Sequence, residues 1–230
     1  MKATVKNTCI LFLCVLLSFS FYSLNCEGYY ATKKGTVMEM KVLDNKNNVT
    51  GKSLLEVIEN RQEGGKSIAV VKTQVTDLKK NKTTESSYEL VCDGAETAIN
   101  MLKSVEASLK KSTQFSQSSV SGNNPVFPNT MKVGQILPEA TISISVKGEI
   151  SLDSGVKIYD RKVVAEEKIT LEAGTFDCIV ITYTEDTSIL FNKTKKYKVW
   201  MAKGVGIVKS EEYDKKERLE KVVELTKFSK

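Results

Sequence analysis

Histidine is missing from all 230 residues of the chain. That absence removes the commonest general base, the Ser-His-Asp and Cys-His nucleophile systems, and every His-ligated metal site. Cysteine is scarce, and none of its five occurrences forms a C-x-x-C pair, so neither a thiol-exchange motif nor a zinc ribbon is present. Carboxylates are plentiful, yet Glu166-Glu167, Glu185-Asp186 and Glu211-Glu212 are neighbours on strand-like segments, where adjacent side chains point to opposite faces. Glycosidase chemistry would therefore need two carboxylates brought together from separate strands. Asp44-Asn45-Lys46-Asn47-Asn48 hints at a calcium loop, but Val49 stands where glycine is required and Leu55 where a bidentate glutamate belongs, so it reads as a polar turn. Gly204-Val205-Gly206 has no helix behind it to cradle a phosphate, and tight turning or close backbone approach explains it better. The chain is read as non-enzymatic, with no catalytic residue, cofactor or metal.

Only one long apolar run exists. Met1 to Cys26 carries two lysines, then a thirteen-residue stretch from Cys9 to Phe21, then small and polar residues, which is the pattern of an export signal. The run is shorter than the roughly 20 residues a membrane-spanning helix needs, and no later segment approaches that length. The expected division is a signal peptide over 1–25 and a single antiparallel β domain over 26–230, working in the periplasm or at the cell surface. Cleavage after Gly28 gives a small-x-small site. Cleavage before Cys26 keeps that cysteine and allows lipid anchoring through it, although Asn25 is a poor residue to precede a lipidated cysteine. Three cysteines, Cys26, Cys92 and Cys178, thus remain for a disulfide or lipidation, and the sequence leaves the pairing open. Cys178 alternates with Phe176 and Val180 and is equally readable as a buried small hydrophobe.

Removing the signal takes two of 34 basic residues and no acid, leaving 32 against 28, or +4. Lysines concentrate at turns, as in Lys79-Lys80-Asn81-Lys82, where they blunt sheet edges, and no aromatic platform is interleaved with them. Nucleic acid is therefore not an expected partner. Asn48, Asn81 and Asn192 each head an Asn-x-Thr triplet, relevant only in a host that glycosylates exported chains.

Period-two alternation dominates the rest. Strands are expected over 36–43, 53–59, 66–77, 83–92, 142–146, 156–171, 175–187, 195–202, 205–213 and 219–228, with turns at 44–48, 63–65, 79–82, 153–155 and 214–216. Asp93-Gly94-Ala95-Glu96 has capping-box spacing, and Ala98, Leu102, Val105 and Leu109 behind it form a helical stripe, which predicts one helix near 95–110. A flexible, Ser- and Asn-rich loop is expected over 112–129. The fold class is mainly β: a strongly curved antiparallel sheet or half-open barrel of about ten strands, with the amphipathic helix on its concave face. Lys147, Lys157 and Lys198 on strand faces argue against an outer-membrane barrel, since lipid-facing lysine costs roughly 2–4 kcal/mol near the bilayer middle.

Several stretches carry a resemblance: Tyr29-Tyr30 with Lys33-Lys34-Gly35-Thr36, Asp160 to Val164 leading to Glu167-Lys168-Ile169-Thr170, Ala173-Gly174-Thr175-Phe176-Asp177-Cys178, and Ala202-Lys203-Gly204-Val205-Gly206 with Val208-Lys209. With them the chain resembles the TapB-like group of exported bacterial proteins, a branch of the broader domain-of-unknown-function 3108-like family. The resemblance implies a curved antiparallel sheet similar to the half-open barrel of periplasmic lipoprotein carriers, and a Gram-negative envelope setting. It supplies no catalytic residues.

The functional expectation is an apolar or amphiphilic ligand, such as a lipid, held in a trough under the helix. Met101, Leu102, Val105 and Leu109 would form its roof, Phe115 and Phe127 its gate, and Ile142, Ile144 and Val146 its floor. The alternative is an interaction or assembly module with a packed core that docks another envelope protein.

Overall fold

Short polar turns set the architecture. Asp44 Oδ1 accepts hydrogen bonds from the backbone N–H groups of Lys46 and Asn48, closing a tight corner in which Asn47 takes φ 62°. The same device recurs at Asp77, which accepts from Lys79 and Lys80, and at Asp214, which accepts from Lys216 and Arg218. Between such corners the alternating segments have no choice but to pair with their neighbours.

The computed structural model describes residues 26, 28–110, 118–146, 152–188 and 191–230. In chain order the elements are β1 (Val37–Asp44), β2 (Val49–Glu63), β3 (Lys66–Asp77), β4 (Lys82–Cys92), β5 (Glu96–Ile99), α1 (Met101–Lys110), β6 (Ser118–Asn123), β7 (Val126–Pro128), β8 (Ala140–Val146), β9 (Leu152–Leu171), β10 (Gly174–Ser188), β11 (Asn192–Ala202), β12 (Gly206–Asp214) and β13 (Leu219–Ser229). The strands form a single open antiparallel sheet in the order β6-β8-β9-β10-β11-β12-β13-β1-β2-β3-β4-β5-β7. The C-terminal strand β13 pairs with the N-terminal β1, joining two meanders into one sheet. Its two edge strands, β6 and β7, are separated in the chain only by Asn124 and Pro125.

Apolar residues pack on both faces of the central strands. Ile179, Ile181, Val199 and Met201 join Val57, Val71, Leu90, Leu137 and Val163 in one cluster. Cys178, Val180, Trp200 and Ala202, which alternate with them, join Met38, Met40, Val208 and Leu225 in the other. Long strands bend at bulges. In β9 the register against β10 slips between Thr182 and Thr184, opposite Asp160 and Arg161, and Asp160 adopts φ 53°. Arg161 is 2% exposed. It donates to the carbonyls of Pro138 (2.6 Å) and Val126 (2.9 Å) and stacks over Phe127, tying β9 to the edge strand β7.

Three expectations are corrected. The helix begins at Met101, not near 95, and 96–99 is strand β5. Asp93 caps a hairpin instead: its Oδ1 accepts from Ala95 and Glu96, a bonding pattern that a capping box and a tight strand turn share. The helix N-terminus is served by Asn100, whose Oδ1 accepts from the Lys103 N–H, and by Asn124, which accepts from Leu102. Second, the loop of 112–129 contains β6 and β7, because its polar residues supply backbone to otherwise open sheet edges; 112–117 lie outside the described residues. Third, Asp153-Ser154-Gly155 is no turn but part of β9, paired with β8. A Cβ on Gly155 would sit 2.6 Å from the Ile142 carbonyl oxygen, so glycine here permits close strand approach. Among the described residues the sheet therefore has 13 strands, where about ten were expected.

Candidate functional site

The residues nominated from the sequence do not converge. Helix α1, with Met101, Leu102, Val105 and Leu109, packs on the edge strand β6 and on β4, two strands in from the opposite edge, and is pinned by Lys103 to Glu89 and by Asn100 to the same carboxylate. Phe127 is in β7, in edge contact with the Tyr30 ring at 5.3 Å, as part of the wall of the main core. Phe115 lies outside the described residues. Ile142 and Ile144 border an open trough of about 810 Å³ whose other walls are mainly hydroxyls, amides and charged groups. Val146 is buried further along β8.

A different set of residues encloses apolar space. Met38 and Met40 of β1, Leu55 and Val57 of β2, Val71 of β3, and Tyr88 and Leu90 of β4 line a cavity of about 210 Å³. Ile207, Ser210 and Val223 from β12 and β13 complete it, with Gly206 at the end of the β11–β12 turn. Register explains the convergence: Met38 faces Leu55, Val57 faces Val71, and Val71 faces Tyr88 across successive pairs. The remaining wall is the segment before β1, contributing Tyr30, Ala31 and Thr36. This segment is held at its start by a disulfide between Cys26 and Cys92, with Cα atoms 6.0 Å apart, and by a parallel bridge between Tyr30 and Val205. Gly206 has φ 112°, and a Cβ there would meet the Tyr30 ring and the Met38 methyl at 3.6 and 3.8 Å. The turn therefore requires glycine for its backbone, and the ring can lie against it.

The cavity carries no charged side chain, but two of its lining residues have unsatisfied polar atoms. Tyr30 Oη and Thr36 Oγ1 have no hydrogen-bond partner, although these residues are only 9% and 1% exposed. Leaving a buried hydroxyl unpaired typically costs about 1–3 kcal/mol. Burial, together with the neighbouring Tyr88 and Tyr183 phenols, holds the Tyr30 hydroxyl protonated well above its ordinary range, against the opposing charge of Arg161. Burial likewise pushes the Tyr88 phenol up to about 12. Both are neutral hydrogen-bonding groups at physiological pH.

Acid–base contrast exists elsewhere. Burial first, and then Glu212, raises the Glu185 carboxyl, while Glu212 is lowered because hydrogen bonds and charges from Lys221 and Lys195 outweigh its own burial. Neither residue lines the cavity. Cys178 is buried and unpaired, its thiol pushed up to about 11 by burial and the nearby Asp177 and Glu167 carboxylates, which makes it a poor nucleophile. Among the described residues no cluster of ligating side chains could hold a metal ion, and no helix is long and apolar enough to cross a membrane.

Two stretches quoted above for their resemblance, Tyr29-Tyr30 to Thr36 and Ala202 to Gly206, meet at this cavity. A family model for the DUF3108-like proteins matches residues 33–225. The chain belongs to the DUF3108-like family. Among solved structures, a candidate exported protein with a YmcC-like fold from Bacteroides fragilis superposes with a TM-score of 0.68 at 19% identity, covering 89% of this chain and 100% of its own. A candidate lipoprotein from Parabacteroides distasonis superposes at 0.70 with 21% identity and the same coverage. At these identities the likeness is one of fold. No curated protein matches the chain. These two structural neighbours are described as an exported protein and a lipoprotein, and neither description names a catalytic activity.

The cavity residues carry a weaker signal in the sequence than the helical stripe does. Tyr30 sits in a segment without clear periodicity and Thr36 at the first position of an expected strand, and an unpaired hydroxyl leaves no mark in a sequence. The usable signal was Tyr29-Tyr30 beside Lys33 to Thr36, recognised as family sequence but not as part of a site.

Proposed function

We propose that this protein is an exported, non-catalytic binding protein, in the periplasm or at the cell surface, that takes an apolar or amphiphilic ligand into the cavity between β1–β4 and the Tyr30–Thr36 segment. The two unpaired hydroxyls are the observation that carries the reading. A packed core would have satisfied or replaced them, whereas a guest with one polar atom gives both a partner. The two-residue link between opposite sheet edges supports a half-open barrel as the container.

Size narrows the ligand. An apolar cavity of about 150 Å³ holds a benzene ring, and drug-sized pockets run from about 300 to 1,000 Å³. At 210 Å³ the site takes one short chain or ring and not a whole diacyl lipid. Isothermal titration with 1-octanol tests the reading: wild-type protein binds one equivalent, and Val57→Trp, which fills the cavity, loses binding while keeping its fold. Equal binding by both proteins, or by neither, overturns it.

A further inference from the structure

The wall formed by Tyr30, Ala31 and Thr36 has a second side. Outward of it lies a hollow bounded by these same three residues together with Cys26, Gly28, Thr32, Lys33, Lys203, Gly204 and Lys230. Lys33 lies in the segment before β1, Lys203 in the β11–β12 turn, and Lys230 follows β13, so three separate parts of the chain bring ammonium groups to one place. No acidic side chain is among the residues that bound it, and none of the three lysines is in an ion pair among the described residues. The inner cavity, in contrast, is free of charge. The residues shared by both spaces include the two with unpaired hydroxyls, Tyr30 and Thr36.

From this juxtaposition we infer that the ligand is a single-chain amphiphile with an anionic head, of the fatty-carboxylate class. Its chain lies among Met38, Leu55, Val57 and Leu90. Its carboxylate sits at the shared wall, accepts a hydrogen bond from Thr36 Oγ1, and faces the field of Lys33, Lys203 and Lys230. A guest filling the cavity at the ~0.75 density of protein interiors occupies roughly 160 Å³, which suits a chain of about eight carbons. An ionised head could not enter the uncharged interior, so the polarity of the two spaces also fixes the ligand's direction.

The inference rests on the binding reading above, and paired probes separate the two. Octanoate, 1-octanol and inorganic phosphate are titrated into the wild type and into the triple variant Lys33→Gln/Lys203→Gln/Lys230→Gln, with thermal melting to verify that the variant is folded. Octanoate is expected to bind wild type about tenfold more tightly than octanol, and phosphate far more weakly than either. The triple variant brings octanoate down to the octanol level and leaves octanol unchanged. Raising NaCl from 50 to 500 mM weakens octanoate selectively. Octanol binding as tightly as octanoate, or octanoate indifferent to the lysines and to salt, overturns the anionic head. Phosphate binding as tightly as octanoate overturns the amphiphile in favour of a plain anion site. Failure of both alkyl probes overturns the cavity reading itself.

Discussion

Thr36 concentrates the energetic logic of the site. Its backbone belongs to the sheet, since its carbonyl accepts from the Val57 N–H at 2.9 Å, while its hydroxyl is buried without a partner. Thr36→Val keeps shape and β propensity but removes the unpaired group. We expect the empty protein to gain about 1 kcal/mol in urea unfolding while affinity for an octyl guest falls, opposite signs that a purely structural threonine would not give. Glu185 offers a second test. Its folded pKa is raised, so its stabilising contribution is complete below the unfolded carboxylate value and is lost as pH rises through the folded value. Glu212, lowered, behaves oppositely: its contribution is present above the unfolded value and disappears as pH falls through the folded one. Urea midpoints at pH 4 to 8 should therefore show Glu185→Gln stabilising at pH 7 by about 1 kcal/mol and flattening the profile. Glu212→Gln should destabilise at pH 7, where Lys221 loses its partner and Lys195 keeps only Glu220.

At the scale of elements, much of the sheet was legible and its margins were not. The period-two segments 66–77 and 219–228 mark strands that the structure reproduces nearly to the residue, because half-buried strands must alternate and Asp- and Gly-containing turns must interrupt them. Strands β5, β6 and β7 were hidden. Ser118–Asn123 lacks an apolar face, Glu96–Ile99 and Val126–Pro128 are too short to show an alternation, and their pairing is set by which edges lie open, a property of the assembled sheet. The segment from Cys26 to Thr36 is the other hidden element, since three cysteines allowed three pairings and only tertiary structure selects Cys26 with Cys92. Closing a loop of 66 residues restricts the unfolded chain by about 4 kcal/mol at most on chain-entropy grounds. Reduction, or Cys92→Ser, should lower stability by up to that amount and, by freeing the cavity wall, weaken octyl binding more than any α1 substitution does. Chemical denaturation and titration with and without dithiothreitol check both.

For the whole molecule, the outline of a one-sheet β protein could be read from the alternation, but the location of its hollow could not. That location depends on how 13 strands bend so that β1–β4 face the segment ahead of β1, a long-range outcome no local window records. The disulfide also bears on the lipid anchoring weighed from the sequence. The Cys26 sulfur is bonded to Cys92 and is not free for a thioether to diacylglycerol. Intact-mass analysis of protein from its own envelope should find the mature chain without added acyl mass, with one cysteine pair oxidised and Cys178 reduced; acylated Cys26 would contradict this.

The central claim is that the guest space lies beside β1 and not beneath α1, and the methionines report on it directly. Met38 and Met40 line the cavity, Met131 and Met201 lie in the main core, and Met101 starts the helix. In protein labelled with ¹³C-methyl methionine and titrated with 1-octanol, the Met38 and Met40 resonances should shift and saturate together while Met101, Met131 and Met201 stay in place. Shifts at Met101 with Met38 and Met40 unmoved would contradict the account and return the ligand to the helix.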